Sequence, residues 1–134
     1  MDIKNNNLIK TIMLEGVKVV GDPKIYAKKY YDDGADEIFL NDAVASLYDR
    51  NSLLDVIKDI SKEVFIPITV AGGLRNLKDV ENALNSGADK VALNSILHKD
   101  SGLINEIVKN FGSNCMVIQI DAKKIADHKW EPYM

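Results

Sequence analysis

An eight-residue motif occurs twice in this chain, and its spacing restricts the folds that the chain can adopt. The motif reads GADEIFLN at residues 34–41 and GADKVALN at residues 87–94, so the copies begin 53 residues apart. Each copy joins a glycine-containing turn to a short apolar run that ends on asparagine. This separation corresponds to about two strand–helix units. The repeat therefore predicts a parallel sheet, in either a (β/α) barrel or a doubly wound fold.

The rest of the chain alternates between helical and strand patterns. Predicted helices begin at Asp22-Pro23, near Leu53, at Asn76 and near Leu103. Predicted strands are short, apolar and without alternation, and they cover residues 37–41, 65–70, 90–93 and 115–120. Runs of this kind are typical of strands that are covered on both faces. The chain therefore reads as one α/β domain without a linker.

Composition excludes several classes of protein. The chain has 134 residues, 46% of them hydrophobic, and a net charge of −3, so it suits one acidic domain and gives no basic surface for nucleic acid. It has neither an apolar run of about 18 residues nor the apolar core of a signal peptide, which predicts a cytoplasmic protein without a membrane partner. Cys115 is the single cysteine, and His98 and His128 lack ligand spacing, so no disulfide, metal or cofactor is expected.

Small or polar residues follow each predicted strand. In chain order they are Asn41-Asp42, Gly72-Gly73, Asn94-Ser95 and Asp121. Because chemistry in parallel folds collects at the carboxyl ends of strands, the aspartates are candidate general acids or bases, or else simple caps of the following loops. The glycine pair is either a tight turn or, together with Asn94-Ser95, a cradle for phosphate.

Six segments carry a resemblance to a known family. They are MDIKNNNLIK, GDP, GADEIFLNDAVAS, IPITVAGGLRN, GADKVALNS and FGSNCMVIQIDAK. In order and spacing they resemble the N-terminal half of the cyclase subunit of imidazole glycerol phosphate synthase. The resemblance implies a (β/α)8 (TIM) barrel family, of which residues 1–134 form a single half barrel of four to five units. It also implies a lyase-type step in histidine biosynthesis, in which ammonia from a glutaminase (glutamine amidotransferase) partner closes the imidazole ring of a phosphorylated nucleotide substrate.

The resemblance assigns roles to individual residues. Asp2 and Asp121 match the family's two catalytic aspartates, which act in general acid/base catalysis. The residues that match substrate and phosphate positions are Lys10 at the rim of the site, Asp42 near the reacting centre, and Gly72, Gly73, Asn94 and Ser95.

The two residues that follow GAD in the repeat differ in charge. Glu37 and Lys90 match members of a charged gate, where ammonia enters the barrel from its N-terminal face. A salt bridge that merely plugs the bottom of the barrel is the alternative interpretation of the same pair.

The chain also departs from the family. Its first strand is expected to be nearly absent and Asp2 frayed, because the family's strand begins several residues before the aspartate and includes an arginine of the gate. The usual triple glycine is Ala71-Gly72-Gly73, and Asn41 replaces a typically apolar residue. The second half of the barrel, with the other phosphate site, is missing.

Three other functions remain compatible with the sequence. The stretches LIKT and VGDP resemble a paralogous branch that acts with an amidotransferase on amidine-bearing sugars of surface polysaccharides, although Asp2 favours the histidine enzyme. A related isomerase shares the fold, although VAS and IDAK favour the cyclase. The third is a non-catalytic module that binds phosphate.

The half barrel is also expected to associate with itself. Its inner layer would be exposed, and its first and last strands would present bare edges. Exposed large side chains each forgo about 1.5–3 kcal/mol of burial, which favours a symmetric pair.

Overall fold

The computed structural model describes residues 1–12, 16–43, 53–98 and 102–132. Four α-helices are present in these ranges: α1 (Pro23–Asp32), α2 (Leu53–Ile60), α3 (Leu77–Asn85) and α4 (Gly102–Phe111). Asp22 accepts a hydrogen bond from the Lys24 backbone N–H at 2.8 Å and so caps α1. Asn76 accepts one from the Asp79 backbone N–H at 2.9 Å and caps α3. These side chains satisfy N–H groups that a helix start leaves unpaired, so both predicted helix starts are confirmed.

Seven strands form one sheet. They are β1 (Asp2–Lys4), β2 (Asn7–Ile12), β3 (Gly16–Gly21), β4 (Ile38–Asp42), β5 (Ile68–Ala71), β6 (Lys90–Leu93) and β7 (Met116–Ile118). Their order in the sheet is β3-β2-β1-β4-β5-β6-β7. The five neighbouring strands β1, β4, β5, β6 and β7 are parallel to one another. The strands of the two motif copies, β4 and β6, therefore flank β5. This arrangement confirms an α/β half barrel that is not closed.

A separate hairpin lies at the carboxyl end of the described chain. Strands β8 (Ala122–Ala126) and β9 (Lys129–Pro132) pair with each other in a two-stranded antiparallel sheet. All their residues are exposed, including Trp130 at 62%. The sequence patterns predicted no strand after residue 120.

The outer edge of β1 differs from expectation. Strand β2 pairs with β1 antiparallel, with Asp2 opposite Ile9 and Lys4 opposite Asn7. Strand β3 then pairs with β2 and becomes the edge of the sheet. The prediction of a bare edge at the first strand is therefore wrong, because a hairpin covers it.

The first strand is short but ordered. The Asn41 backbone N–H donates to the Met1 carbonyl at 2.9 Å, and the Ala43 N–H donates to the Ile3 carbonyl at 3.0 Å. Since β1 is held by β2 on one side and β4 on the other, the prediction that Asp2 is frayed is also wrong.

Helices cover one face of the parallel sheet. Strand residues Leu40, Val70 and Leu93 pack in a single buried cluster with helix residues such as Ile57 and Ile107. Residues paired across parallel strands share a face, so the register places Asp2, Asn41, Ala71, Ala92 and Val117 in one row of the opposite face. The neighbouring row contains Phe39, Thr69 and Lys90.

The face of the sheet opposite the helices is more polar than predicted, since the sequence patterns predicted large apolar side chains on both faces. Phe39 is the largest apolar residue in these two rows and is 37% exposed, and Val117 is partly buried. Thr69, Ala71 and Ala92 are each at most 2% exposed. In these two rows, the predicted exposure of a layer of large side chains is therefore limited to Phe39 and, in part, Val117.

Candidate active site at the carboxyl ends of the parallel strands

A cavity of about 400 Å³ lies where β4, β5, β6 and β7 end. Its lining includes most of the predicted site residues, namely Asp42, Gly72, Gly73, Asn94, Ser95 and Asp121, together with Asn41, Arg75 and Gln119. These residues come from four different segments of the chain. They meet because the carboxyl ends of parallel strands share one edge of the sheet.

The glycine pair follows β5 and lines this cavity. Gly72 has φ +90, and a Cβ atom at that position would lie 2.5 Å from the Asp42 carbonyl oxygen. Any other residue would therefore be strained and would collide with the end of β4. The missing side chain lets the β5 backbone approach Asp42, which is 6% exposed, and leaves backbone at the cavity surface.

The end of β6 supplies a polar group that contacts a carboxylate. Asn94 Nδ2 donates to Asp121 Oδ2 at 2.7 Å, and Gln119 Nε2 lies 3.4 Å from Asp121 Oδ1. The Gln119 backbone N–H donates to the Leu93 carbonyl at 2.8 Å and continues the pairing of β6 with β7. Asp121 is exposed, so these contacts orient its carboxylate in a site that solvent reaches.

The end of β4 repeats this arrangement with the other aspartate. Asn41 Nδ2 donates to Asp2 Oδ1 at 3.0 Å. Asn41 and Asn94 are the last residues of the two motif copies, so each copy ends on an amide that binds a carboxylate of an adjacent segment. Asn41 lines the 400 Å³ cavity, whereas Asp2 lines a neighbouring one.

Lys10 does not lie at the rim of this site. It lines a second cavity of about 590 Å³, which it shares with Asp2 and which extends to Met1, Glu37 and Phe39 near the amino-terminal ends of the parallel strands. Because β2 runs antiparallel to β1, residues after Ile9 extend away from the carboxyl ends of the sheet. The structure therefore separates Lys10 from the phosphate-site candidates.

The predicted gate residues form an ion pair at the amino-terminal ends of their strands. Lys90 Nζ lies 3.1 Å from Glu37 Oε2, and the Thr69 hydroxyl donates to Glu37 Oε1 between them. The Thr69 hydrogen bond first, and then Lys90, lower the pKa of Glu37 below its usual range. The Glu37–Lys90 pair and the Asn94–Asp121 contact thus occupy opposite ends of the sheet, whereas Asp2 lines the same cavity as Glu37.

Sequence reasoning missed two residues of the cavity. Arg75 places a cationic side chain among its lining residues, and Gln119 lies beside Asp121. The sequence contains a signal for both. Arg75 follows the glycine pair by two residues, and Gln119 precedes Asp121 by two residues, the spacing at which side chains of a strand point to the same face. An arginine close to a glycine pair is itself a signal for anion binding, because its guanidinium group matches the geometry of phosphate oxygens.

This set of groups suits a particular chemistry. Oriented carboxylates can exchange protons, and glycine backbone, an amide, a hydroxyl and an arginine can bind phosphate oxygens. Within the ranges that the structure describes, no group of three or more histidine, cysteine or acidic residues could hold a metal ion. In the same ranges, no helix has the length and apolar character needed to cross a membrane.

Comparison with known proteins agrees with this architecture. The family described as "Histidine biosynthesis protein" matches residues 1–133. A relative named imidazole glycerol phosphate synthase subunit HisF, from Legionella pneumophila, is 50% identical over 131 residues, which cover 98% of this chain and 62% of the relative. Relatives of the same name from Helicobacter hepaticus and Campylobacter concisus are 42% and 46% identical over 100% and 93% of this chain, and 53% and 50% of their own lengths.

The chain thus spans about half to six-tenths of the length of these curated relatives. The match nevertheless extends over nearly all of the chain and includes both motif copies. The resemblance stated from the sequence is therefore confirmed, and the chain belongs to the histidine biosynthesis protein family.

Proposed function

We propose that this chain forms the N-terminal half of a cyclase subunit of imidazole glycerol phosphate synthase. In this proposal, ammonia closes the imidazole ring of a phosphorylated nucleotide and yields imidazole glycerol phosphate for histidine biosynthesis. The observation that carries the proposal is the pair of amide–carboxylate contacts, Asn41–Asp2 and Asn94–Asp121, beside a glycine-lined cavity. The names of the relatives support the reaction.

Substrate binding begins with one phosphate group. Gly73, Asn94 and Ser95 line one cavity, at the ends of two adjacent strands. Their backbone N–H, amide and hydroxyl groups would donate to phosphate oxygens, while Arg75 in the same lining supplies positive charge. This arrangement would anchor one end of the substrate and leave its reacting part near Asp42 and Asp121.

Acid/base catalysis falls to Asp2 and Asp121. One ionised carboxylate accepts a proton as the ammonia nitrogen attacks, and the other group donates a proton to the departing part of the substrate. The two carboxylates come from different segments, since Asp2 is partly buried within β1 whereas Asp121 is exposed beyond β7.

Ammonia would enter from the opposite end of the sheet. Glu37, Thr69 and Lys90 form a polar contact there, below the row that contains Asn41 and Ala92. A glutaminase partner docked at that end would deliver ammonia, and opening of the Glu37–Lys90 pair would admit it. The alternative is a fixed salt bridge that only stabilises the bottom of the sheet.

The partial coverage of the relatives favours a second candidate function. Because the chain covers 62% or less of the relatives compared above, the reaction is expected to require the remaining part. Alone, the chain would then act as a phosphate-binding half barrel. It would also pair with another half, through the edge of β7 and the exposed Phe39 face.

An ammonia-dependent turnover assay separates these functions. It uses this chain alone and this chain joined to the part of the Legionella pneumophila relative that it does not cover, hereafter the completed chain. We expect turnover by the completed chain and little by the chain alone. Absence of turnover by the completed chain would contradict the cyclase function, and a full rate from this chain alone would show that half of the barrel suffices.

Sedimentation velocity at micromolar concentration tests the pairing of halves. A dimer is expected for this chain, and the fused completed chain should sediment as a monomer. A folded monomer of the isolated chain at every concentration would contradict the pairing without affecting the proposed reaction.

A further inference from the structure

We propose that Asn41 is a positioning residue that holds the Asp2 carboxylate for proton transfer. The inference rests on the proposed function, because it assigns Asp2 a role in the reaction. It adds a residue at a position where the family resemblance predicts an apolar side chain. The key observation is the 3.0 Å hydrogen bond from Asn41 Nδ2 to Asp2 Oδ1.

The register of the sheet brings the two side chains together. Asp2 and Asn41 are direct partners on the parallel strands β1 and β4, so they share a face and lie side by side. Asn41 also lines the 400 Å³ cavity. Its amide therefore connects that cavity to a carboxylate that lines the adjacent one.

The short first strand explains why Asp2 benefits from such a contact. β1 has three residues, and Asp2 is the first of them. The Asn41 backbone N–H donates to the Met1 carbonyl at 2.9 Å, and the Met1 ammonium donates to the Phe39 carbonyl at 2.7 Å. These bonds fix the backbone beside Asp2, and the Asn41 side chain then fixes the carboxylate. An apolar side chain at residue 41 could not do this.

An amide is well suited to this role. It donates a hydrogen bond without adding a charge, so the carboxylate is oriented but not neutralised by a cation. The bond engages Oδ1, and proton transfer is expected at Oδ2. A lysine or arginine in the same place would compete with the substrate's own proton as a partner for the carboxylate.

The second motif copy provides an independent parallel. Asn94, 53 residues after Asn41, donates to Asp121 Oδ2 at 2.7 Å. The two amides come from the same position of the repeat but bind carboxylates on opposite sides, since β1 lies beside β4 and β7 beside β6. The repeat therefore presents a carboxylate-binding amide twice.

Kinetics of the completed chain test the inference. We expect Asn41→Leu to lower kcat by about 10- to 100-fold with little change in KM, because a small misplacement of a catalytic group has an effect of this size. The aspartate side chain of Asn41→Asp has the same shape as asparagine but no N–H donor, so this variant should lose at least as much kcat as Asn41→Leu. Asn110→Leu is the matched control, since Asn110 is exposed on α4 and bonds to the Glu106 carbonyl at 2.8 Å. It should retain kcat.

A double-mutant cycle separates positioning from a general structural role. In the Asp2→Asn background, Asn41→Leu should cause little further loss, because its effect acts through the Asp2 carboxylate. A double variant in which the kcat losses of the two single variants multiply would overturn the inference. So would normal turnover of Asn41→Leu when Asp2→Asn is inactive, and that result would leave the proposed cyclase function intact.

NMR spectra of this chain alone test the contact independently of turnover. The side-chain amide resonances of Asn41 should shift in Asp2→Ala, whereas those of Asn110 should not. Unchanged Asn41 resonances would overturn the inference. Full turnover of Asp2→Asn in the completed chain would overturn it as well, and would remove Asp2 from the proposed mechanism.

Discussion

The two copies of the repeat share a backbone plan but differ in the groups that surround them. Leu40 and Leu93 occupy the same motif position and are 0% and 1% exposed. Each copy ends on an amide that binds a carboxylate. The first copy carries Glu37 where the second carries Lys90, and these two residues bind each other at the opposite end of the strands.

The surroundings of the two copies account for other differences. In the second copy, the Asp89 carboxylate accepts a hydrogen bond from the Ile68 N–H at 2.8 Å, and the Asp89 N–H donates to the Ile68 carbonyl at 2.9 Å. The neighbour at the corresponding side of β4 is β1, which has three residues. The comparison shows that the shared residues specify the turn, the buried leucine and the terminal amide. The differing residues specify charge at the end of the sheet where ammonia is proposed to enter.

The largest expected effect concerns the two carboxylates. In the completed chain, Asp2→Asn and Asp121→Asn should each lower kcat by about 10²–10⁴-fold, the range typical of general acid/base groups. Steady-state turnover with ammonia measures both. If Asp121→Asn keeps a near-normal rate while Asp2→Asn does not, the two copies are not equivalent in function and Asp121 merely ends a loop.

The buried leucines test whether the copies are equivalent in stability. Leu40→Ala and Leu93→Ala should each lower the free energy of unfolding by about 2–5 kcal/mol, because each leaves a cavity in the same helix-covered core. Urea unfolding at fixed protein concentration gives both values. Ile25→Ala is the control, since Ile25 is 68% exposed and should change stability by less than about 0.5 kcal/mol. A small loss at one leucine alone would break the equivalence.

Substitution of the motif glycines should reveal a smaller difference in stability between the two copies. Gly34 has φ +94 with open space where a Cβ atom would lie, whereas at Gly87, with φ +113, a Cβ atom would lie 2.6 Å from Ser61 Cβ. Gly34→Ala should therefore lower the free energy of unfolding by about 1–2 kcal/mol from backbone strain alone. Gly87→Ala should lower it by about 1–3 kcal/mol more, because the added Cβ atom overpacks against Ser61. Adding Ser61→Gly should recover part of that excess, and equal losses at both glycines would contradict the packing difference.

The smallest effect is the pH dependence that arises from Glu37. Hydrogen bonding by Thr69 and then Lys90 lowers its pKa from the ordinary value of 4.5, so the folded state favours the ionised form. This stabilisation is present above about pH 4.5 and is lost as the pH falls through the lower folded value. Glu37→Gln should flatten the pH dependence of the urea midpoint below pH 4.5, and salt should weaken the difference because the pair is partly exposed. A steeper curve for Glu37→Gln would contradict the assignment.

Local signals predicted much of the fold. Asp22 and Asn76 were identifiable as caps because a short acceptor side chain precedes an apolar helical pattern. The meeting of Asp42, Gly73 and Asn94 followed from the rule that parallel strands end at one edge. These predictions depend on few neighbours in sequence or on a general rule of topology.

The hairpin of β2 and β3 was not predicted, and neither was the turn that joins β1 to β2, although a signal for that turn was present. Asn5 and Asn6 adopt φ of 49 and 62, the left-handed values that a two-residue hairpin turn requires and that asparagine tolerates. Sequence reasoning instead placed Lys10 by family resemblance alone. The position of Lys10 depends on which strand pairs with the edge of β1, and that pairing is decided by tertiary contacts rather than by local sequence.

The proposed site at the carboxyl ends of the parallel strands requires that this chain bind phosphate there. In NMR titrations of this chain with ribose 5-phosphate, the backbone amides of Gly73, Asn94 and Ser95 should shift together and saturate. We expect a dissociation constant between about 1 mM and 1 μM, equivalent to about 4 to 8 kcal/mol. The amides of Glu37 and Lys90, at the opposite end of the strands, should not move. An absence of shifts at the Gly73, Asn94 and Ser95 amides, or equal shifts at both ends of the sheet, would contradict a phosphate site at the carboxyl ends of the strands.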